Sequence, residues 1–500
     1  MGHLDMKTKF SLSWGRGSGL KVRGANSARI NLSLFLAFLI LPAVLRAQFR
    51  YEPFGEGVSI TGYDCIAGGV SIPSTVDGLA VLRIGESAFL DCALLSSVTI
   101  PASVTLIGPG AFRNCTALET VTISGDLADV GDSAFAGCVR LKGVVVVNAI
   151  KRIGDYAFLD CARLTSLPMP SGLISIGRFA LQGCTDLEDV SIPDSVTSIQ
   201  GGAFSGCTRL TSIVIPGSVR ALATATFLGC TRLATVVIPS GVTSIGHLAF
   251  YECTSLTELV LPKTLDASEL SATQGCTNLL AISVDGENPT YASVDGVLYD
   301  KSLTTLIQFP AGKAGSYISP ASVIRIADLA FLGCTRLTSV TLTTGVTHIA
   351  EQAFSGCASL TSITLPSTLI RIGDYAFNDC VQLTSVFFQG NAPQVGQGVF
   401  ELAERVIVYR LPPSTGWSAT LGGRPVTLGG TDATVSISPS FELTLEGAPG
   451  SILTLLTRST LGDTGVWQVM TNVTVELTGR AVVRLEPALG ESGFYKLQAP

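Results

Sequence analysis

The stretch CASLTSITLPSTLIRIGDYAFND, residues 357–379, is one copy of a unit that recurs along most of the chain. Its first residue recurs every 23 residues from Cys92 to Cys276, and after a gap of 58 residues the spacing resumes from Cys334 to Cys380. Such a period indicates one supersecondary unit stacked on copies of itself, because each copy can bury its apolar face only against a neighbour. This excludes an ordinary globular enzyme over the repeats.

The unit divides into a strand, a return path and a packing pair. Residues 360–365 have apolar positions that alternate before Pro366, which predicts a short strand that ends at the proline. The return path, 367–373, has apolar residues three apart, typical of a 3₁₀-like or irregular turn. Ala376 and Phe377 are expected to fill the space between coils, with each phenyl ring stacked on its copy. The prediction is a mainly β and irregular solenoid of 23-residue coils.

The unit resembles the BspA-like, or Treponema pallidum-type, leucine-rich repeat. The resemblance is carried by IGESAFLDCALLSSVTIP (84–101), IGDYAFLDCARLTSLPMP (153–170) and IGDYAFNDCVQLTSVFF (372–388), and it extends from residue 57 to about 408. It implies a leucine-rich repeat solenoid over residues 48–409. Known members are largely secreted or surface proteins of bacteria and protists, several of them implicated in adhesion, so the resemblance implies a secreted or cell-surface, adhesin-like protein.

Two regions depart from the pattern. The opening coil has four extra residues and no cysteine on the period, which leaves Cys65 outside the ladder. Between Cys276 and Cys334 we predict two coils, with a projecting hairpin insert near residues 284–300 at the Asp-Gly turn signals. The run LTTLIQFP (303–310) is then expected to restore the strand that ends at a proline.

The two ends of the chain lack the repeat. A basic lead, the apolar run 34–45 and the small residue Ala47 predict a signal peptide over residues 1–47, with an uncleaved anchor as the alternative. Residues 410–432 are rich in Pro, Gly and Thr and are predicted to form a linker. From 433 to 500, short alternating runs separated by turns predict a small all-β, sandwich-like C-terminal domain.

The cysteines of the ladder are predicted to be buried free thiols. Equivalent side chains in neighbouring coils point the same way at about 5 Å, farther than the Cβ separation that a disulfide needs. A disulfide framework is the alternative for a secreted chain. The predicted structural ladder comprises Cys92, Cys115, Cys138, Cys161, Cys184, Cys207, Cys230, Cys253, Cys276, Cys334, Cys357 and Cys380.

Composition argues against several function classes. Residues 1–47 contain seven Lys and Arg and one Asp, so the rest of the chain has 25 basic and 37 acidic residues, a net charge of −12. This disfavours nucleic acid and anionic membranes as partners. There is no catalytic motif and no clustered metal-ligand spacing, and beyond residue 47 only His247 and His348 remain. We therefore predict no enzyme activity, no cofactor and no metal.

The outward strand positions are mostly small residues, which supply few of the Trp, Tyr and Arg side chains that dominate interfaces. They include Ser97, Thr99, Thr120, Thr122, Ser212, Val214, Thr235, Val237, Ser339, Thr341, Ser362 and Thr364.

Two residues after the cysteine, several copies instead carry arginine. Such a row could bind carboxylated or sulfated glycans, and a solvated edge paired with acids such as Asp160 and Glu188 is the alternative. Its candidate ligand-binding residues are Arg140, Arg163, Arg209 and Arg232.

The sequence favours a non-catalytic recognition protein whose solenoid surface binds an extracellular protein or glycan. One alternative is a structural spacer that displays the C-terminal module. Another is carbohydrate binding by that module itself.

Overall fold

The computed structural model describes residues 48–268, 272–411 and 413–428 and, beyond them, six strands between 434 and 498. The predicted signal peptide, residues 1–47, lies outside the described residues. Every named element is a β-strand, and the predicted solenoid is confirmed. Most coils contribute one longer strand and one strand of two residues, and these form two walls that we call the long-strand side and the short-strand side.

The long-strand side is built from the segment that precedes the proline, as predicted. Neighbouring strands are parallel and mostly in register at the 23-residue spacing, so Ser362 pairs with Ser385 and Ile363 with Val386. Beyond Gly143–Val146 the wall continues through single bridges at Ser166 and Asp189, and no pairing joins Asp189 to Ser212 in the next coil. Its parallel strands are Gly68–Ser71, Leu95–Ile100, Thr120–Ile123, Gly143–Val146, Ser212–Val214, Thr235–Val237, Glu258–Leu261, Ala281–Val284, Gly315–Ile318, Leu337–Thr341, Ser362–Leu365, Ser385–Phe388 and Ile407–Arg410.

The return path differs from the prediction, because it contains a second parallel strand. Ile153 pairs with Ile176, which is 23 residues farther along. A glycine follows this pair in most coils, since a Cβ at Gly177 would lie 2.5 Å from the carbonyl carbon of Gly154. The two-residue strands of this side are Leu106–Ile107, Asp129–Val130, Arg152–Ile153, Ser175–Ile176, Ser198–Ile199, Ala221–Leu222, Ser244–Ile245, Ala267–Ser268, Arg325–Ile326, His348–Ile349, Arg371–Ile372 and Gln394–Val395.

The core between the walls is a set of vertical stacks. The predicted stacking of the phenyl rings is confirmed: Phe331 and Phe354 have ring centroids 4.5 Å apart, and Phe227 and Phe250 are 5.7 Å apart. Leu181 takes the phenylalanine position in one coil and is fully buried. Because each ring is enclosed by the coils on either side, burial of these stacks joins successive units into one core.

A left-handed residue turns the chain just before most of the cysteines. Asp91, Asn114 and Gly137 have φ of 59°, 60° and 74° at this position. Asn, Asp and Gly adopt this conformation at the lowest steric cost, which explains why the residue before the cysteine is one of these three in nearly every copy.

The long coil between Cys276 and Cys334 contains the predicted hairpin. Strands Tyr291–Val294 and Val297–Asp300 are antiparallel around Asp295 and Gly296, whose φ angles are both positive. The hairpin does not project as predicted, because Tyr291 and the run 297–299 are buried. Its side chains extend the core.

The prediction for residues 303–310 was wrong. Strand Thr305–Gln308 pairs with Arg325–Ile326 on the short-strand side, and the long-strand side is restored by Gly315–Ile318. The run 303–310 has the apolar pattern before a proline, whereas Gly315–Ile318 has the less apolar sequence GSYI, so the pattern pointed to the wrong segment. The ring of Phe309 stacks on that of Phe331 at 5.0 Å, which places it in the phenylalanine stack.

The first coil adds three strands, Phe49–Phe54, Gly57–Tyr63 and Leu79–Ile84. The two-residue strand Thr75–Val76 pairs antiparallel with Leu79–Ile84. At the other end, strand Arg424–Leu428 pairs in parallel with Ile407–Arg410 and antiparallel with Thr420–Leu421. The solenoid therefore extends into the segment 410–432 that was predicted to be a linker, of which residues 412 and 429–432 lie outside the described residues.

The C-terminal residues form two antiparallel three-stranded sheets, which agrees with the predicted all-β composition. Packing of these sheets as a sandwich stays a prediction. Their strands are Thr434–Ile437, Glu442–Glu446, Ile452–Arg458, Gln468–Thr474, Arg480–Arg484 and Phe494–Gln498.

Candidate functional site

Eleven cysteines of the ladder are buried free thiols that link successive coils. Each Sγ donates to a backbone carbonyl of the preceding coil, for example Cys207 to Leu181 at 3.3 Å and Cys115 to Phe89 at 3.1 Å. Burial raises the pKa of the Cys207 and Cys276 thiols to about 12. A buried thiol of high pKa is a poor nucleophile, and this supports the structural role of the ladder, which stays a prediction.

The prediction of a free thiol was wrong for Cys92, which forms a disulfide with Cys65. Cys65 precedes Gly68 by three residues as Cys92 precedes Leu95, and Gly68 pairs with Leu95, so Cys65 occupies the ladder position of the first coil. Its φ of 51° is left-handed, unlike that of any other described cysteine, and this turns its side chain away from the parallel direction of the ladder. The Cα atoms are 4.8 Å apart.

The outward surface of the long-strand side contains a row of exposed valines. Val214, Val237 and Val260 lie in three consecutive coils with exposed fractions of 61%, 48% and 51%. Val214 pairs with Val237 in register. We call these three residues the valine stripe.

Most of the other predicted outward residues are exposed or half-buried, and Thr364 is the exception at 4% exposed. Thr364 pairs with Phe387, and Phe387 stacks on Tyr409 at 5.0 Å. This aromatic pair is half-buried on the outward surface. Thr364 therefore belongs to the packed base of an aromatic cluster and not to an open hydroxyl row.

The four predicted arginines are all exposed, but they do not share one environment. Arg140 forms an ion pair with Glu119 at 2.7 Å, and Arg209 forms ion pairs with Glu188 at 2.5 Å and Asp186 at 3.4 Å. Arg163 and Arg232 have no ion pair within the described part of the chain. The fifth arginine of the row, Arg336, donates to Asn278. A continuous anion track along this row therefore stays a proposal.

Sequence reasoning missed an aspartate that recurs two residues after the isoleucine or valine that ends the short strand. The Asp132 carboxylate accepts the backbone N–H of Asp155, and that of Asp155 accepts the N–H of Arg178. Asp328 and Asp374 make the same bond to the next coil. The recurring aspartate in the strings VGD, IGD and IAD was the available signal, because a carboxylate at a repeated turn can satisfy the N–H of its neighbour.

In the described residues, no group of three or more His, Cys, Asp or Glu side chains could hold a metal ion. No helix of those residues has the length and apolar composition that a membrane crossing requires.

Comparison with known proteins agrees with this architecture. A family model described as "BspA type Leucine rich repeat region (6 copies)" matches residues 82–211, 198–310 and 308–414. A leucine-rich repeat protein from Bacteroides ovatus superposes with a TM-score of 0.56 at 28% identity, covering 73% of this chain and 94% of that one. No curated protein sequence matches this chain.

Two further solved structures are similar in sequence. A leucine rich cell surface protein from Faecalibacterium prausnitzii is 26% identical over 74% of this chain and 94% of that one, with a TM-score of 0.46. The leucine-rich repeat protein of T. pallidum is 27% identical over 42% of this chain and 88% of that one, with a TM-score of 0.33.

Proposed function

Because the chain belongs to the BspA-type leucine-rich repeat family, we propose that it is a secreted or cell-surface recognition protein. In this proposal the long-strand side binds an extracellular protein or glycan without catalysis, in the manner of an adhesin. The ligand would lie across several coils, since no single coil offers a large contact area.

The observation that carries the proposal is the valine stripe. Three neighbouring valines that stay about half exposed form an apolar row on a wall that is otherwise mostly hydroxyl-bearing. A contiguous exposed apolar patch with a polar rim is typical of an interaction surface. Ser212, Thr235 and Glu258 lie two residues before these valines and supply the polar groups beside them.

The test uses the chain without residues 1–47 on arrays of purified extracellular matrix proteins and glycans. Val214→Thr, Val237→Thr and Val260→Thr together keep the side-chain shape and remove the apolar row, and we expect binding to fall at least about tenfold. Ile174→Thr with Ile370→Thr is the matched control, since these isoleucines are equally exposed but precede strands of the short-strand side. Equal loss in both variants would contradict the proposal.

A structural spacer is the alternative, supported by the small outward residues along most of the wall. Comparison of the full chain with one that ends at residue 432 separates the two. Binding that persists without residues 433–500 supports recognition by the solenoid. Binding that requires those residues supports the spacer, or carbohydrate binding by the C-terminal module.

A further inference from the structure

On the short-strand side, the backbone hydrogen bonds between successive coils are interrupted between the coil with strand Ser198–Ile199 and the coil with strand Ala221–Leu222. In the coil below, Thr197 donates its N–H to Ile174 and Gln200 donates to Ile176; in the coil above, Thr243 donates to Arg220 and Gly246 to Leu222. The corresponding bonds from Arg220 to Thr197 and from Ala223 to Ile199 are missing, and strands Ser198–Ile199 and Ala221–Leu222 belong to different sheets. Two N–H groups and two carbonyls are thus left without the partners that they have elsewhere.

The same two coils remain in contact around this opening, although their long-strand segments at Asp189 and Ser212 are not paired either. Before the opening, the Ser218 hydroxyl donates to the Val196 carbonyl. Gly202 donates to the Thr224 carbonyl at 3.0 Å and Phe204 to the Thr226 carbonyl at 2.9 Å. The rings of Phe204 and Phe227 remain stacked at 5.5 Å. The gap therefore admits a small polar group but not an added strand.

Two residues that replace the glycine after the short strand lie at this opening. Gln200 and Ala223 replace the glycine that other coils place there. Ala327 and Ala350 also replace it, yet they keep their bonds to Leu306 and Ile326 at 3.0 Å. Loss of glycine is therefore tolerated by itself, and the open rung has in addition the larger side chain of Gln200.

A cleft of about 370 Å³ lies at this opening, and its only charged lining residues are Arg178 and Arg220. Within the described residues neither guanidinium forms an ion pair: Arg220 donates to the Gly241 carbonyl, and the nearby Asp155 carboxylate accepts the backbone N–H of Arg178. Thr197, Ser198 and Gln200 add hydroxyl and amide groups to the lining. The two guanidinium groups make this cleft locally positive on an acidic protein, because the unpaired N–H groups are matched in number by unpaired carbonyls.

We propose that this cleft binds an acidic polysaccharide through a carboxylate or sulfate group. Such a group accepts hydrogen bonds from both guanidinium groups and from the free N–H groups, and the neighbouring hydroxyl and amide side chains suit sugar hydroxyls. This inference rests on the proposed recognition function and names a second contact, on the wall opposite the valine stripe.

The test is binding of polygalacturonate, which supplies carboxylates, and of heparin, which supplies mainly sulfates, to the full chain without residues 1–47. We expect Arg178→Gln with Arg220→Gln to weaken the binding of at least one of them by about tenfold or more, because charge-assisted hydrogen bonds contribute that much. Arg325→Gln with Arg371→Gln is the control, since it removes two exposed arginines of the short-strand side that lie outside the cleft and form no ion pair in the described part of the chain. We expect this control to change binding by less than about twofold.

A second measurement does not depend on any variant. Hydrogen exchange of the segment 217–224 should slow when either polysaccharide is added, because the Arg220 and Ala223 amides then gain an acceptor. Unchanged exchange, equal losses in the two double variants, or equal binding of polyglutamate would overturn the inference. If neither polysaccharide binds while matrix proteins or neutral glycans do, this inference fails and the proposed function stands; if nothing binds, both fail.

Discussion

Two rows of the solenoid share one period and lie two residues apart, yet they differ in almost every respect. The ladder cysteines are buried, nearly uniform and hydrogen-bonded from coil to coil. The arginine row is exposed, is interrupted by Asp186, and consists of side chains with different partners. A stacked repeat fixes residue identity where a side chain packs against its own copy, and it leaves the identity free where the side chain contacts water.

Alkaline pH should produce the largest difference between the rows. Burial raises the thiol pKa values well above the usual value, so the folded chain keeps protons that the unfolded chain releases above about pH 9. The free energy of unfolding should therefore fall from pH 9 towards 12, by about 1.4 kcal/mol per pH unit for each such thiol. Circular dichroism and thiol alkylation measured together should show both changes at the same pH.

The pKa values of two tyrosines are raised in the same direction, so tyrosine ionisation must be followed separately from that of the thiols. Burial also raises the pKa of Tyr299 and Tyr317, and their ionisation is visible by absorbance. Alkylation of most thiols at pH 9 with native dichroism would show that the ladder is accessible and would remove the contrast with the arginine row.

Removal of the one covalent rung should have the next largest effect. Cys65→Ala with Cys92→Ala deletes a bond that spans 27 residues, and we expect the free energy of unfolding to fall by about 3 kcal/mol. Urea unfolding measures the change, and a reducing agent should affect the parent chain but not the variant. Equal midpoints for the oxidised and reduced parent would contradict a stabilising bond.

Substitutions at Cys207 separate volume from hydrogen bonding within the ladder. Cys207→Ala should cost about 1–2 kcal/mol through lost packing volume. Cys207→Val restores the volume without the donor and should cost less than about 1 kcal/mol, because the Leu181 carbonyl still accepts the N–H of Cys184. Urea unfolding of both variants gives the order, and a greater cost for valine would assign the stability to the thiol bond.

The arginine row should give the smallest effect on stability. Arg209→Gln with Arg232→Gln should leave the melting temperature nearly unchanged, because an exposed ion pair contributes about 0–1 kcal/mol. If the row is an anion track, the same variant should reduce retention on heparin at low salt, and that retention should weaken as salt screens the charges. Unchanged retention would leave the row as a solvated edge.

The buried half of the unit could be predicted from the sequence. Prediction was harder where the 23-residue period does not fix the residue type or the position of a segment. The Cys, Leu, Ile and Phe positions repeat because each side chain meets its own copy, so the strand, the phenyl stack and the family were evident. Cys65 was missed since extra residues in the first coil hid its position. Residues 303–310 were misplaced because their apolar run before a proline matches the unit better than the sequence GSYI of strand Gly315–Ile318.

The candidate binding surfaces were harder to predict, since they depend on neighbouring coils. The exposure of the valine stripe depends on which outward side chains the neighbouring coils place beside it. Arg178 and Arg220 are 42 positions apart, and no motif joins them. Their shared cleft follows from two hydrogen bonds that one pair of coils does not form.

The last coil also determines how two molecules can meet. Strand Arg424–Leu428 contains Pro425, which lacks an N–H group, and among the described residues its far edge pairs with the two-residue strand Thr420–Leu421 alone. A full-length edge such as Ile407–Arg410 would offer a row of free backbone groups for head-to-tail addition of a second solenoid. A proline-bearing strand and a short antiparallel cover blunt that edge. The end of the solenoid thereby opposes growth of the protein into filaments, even though every coil is built to stack.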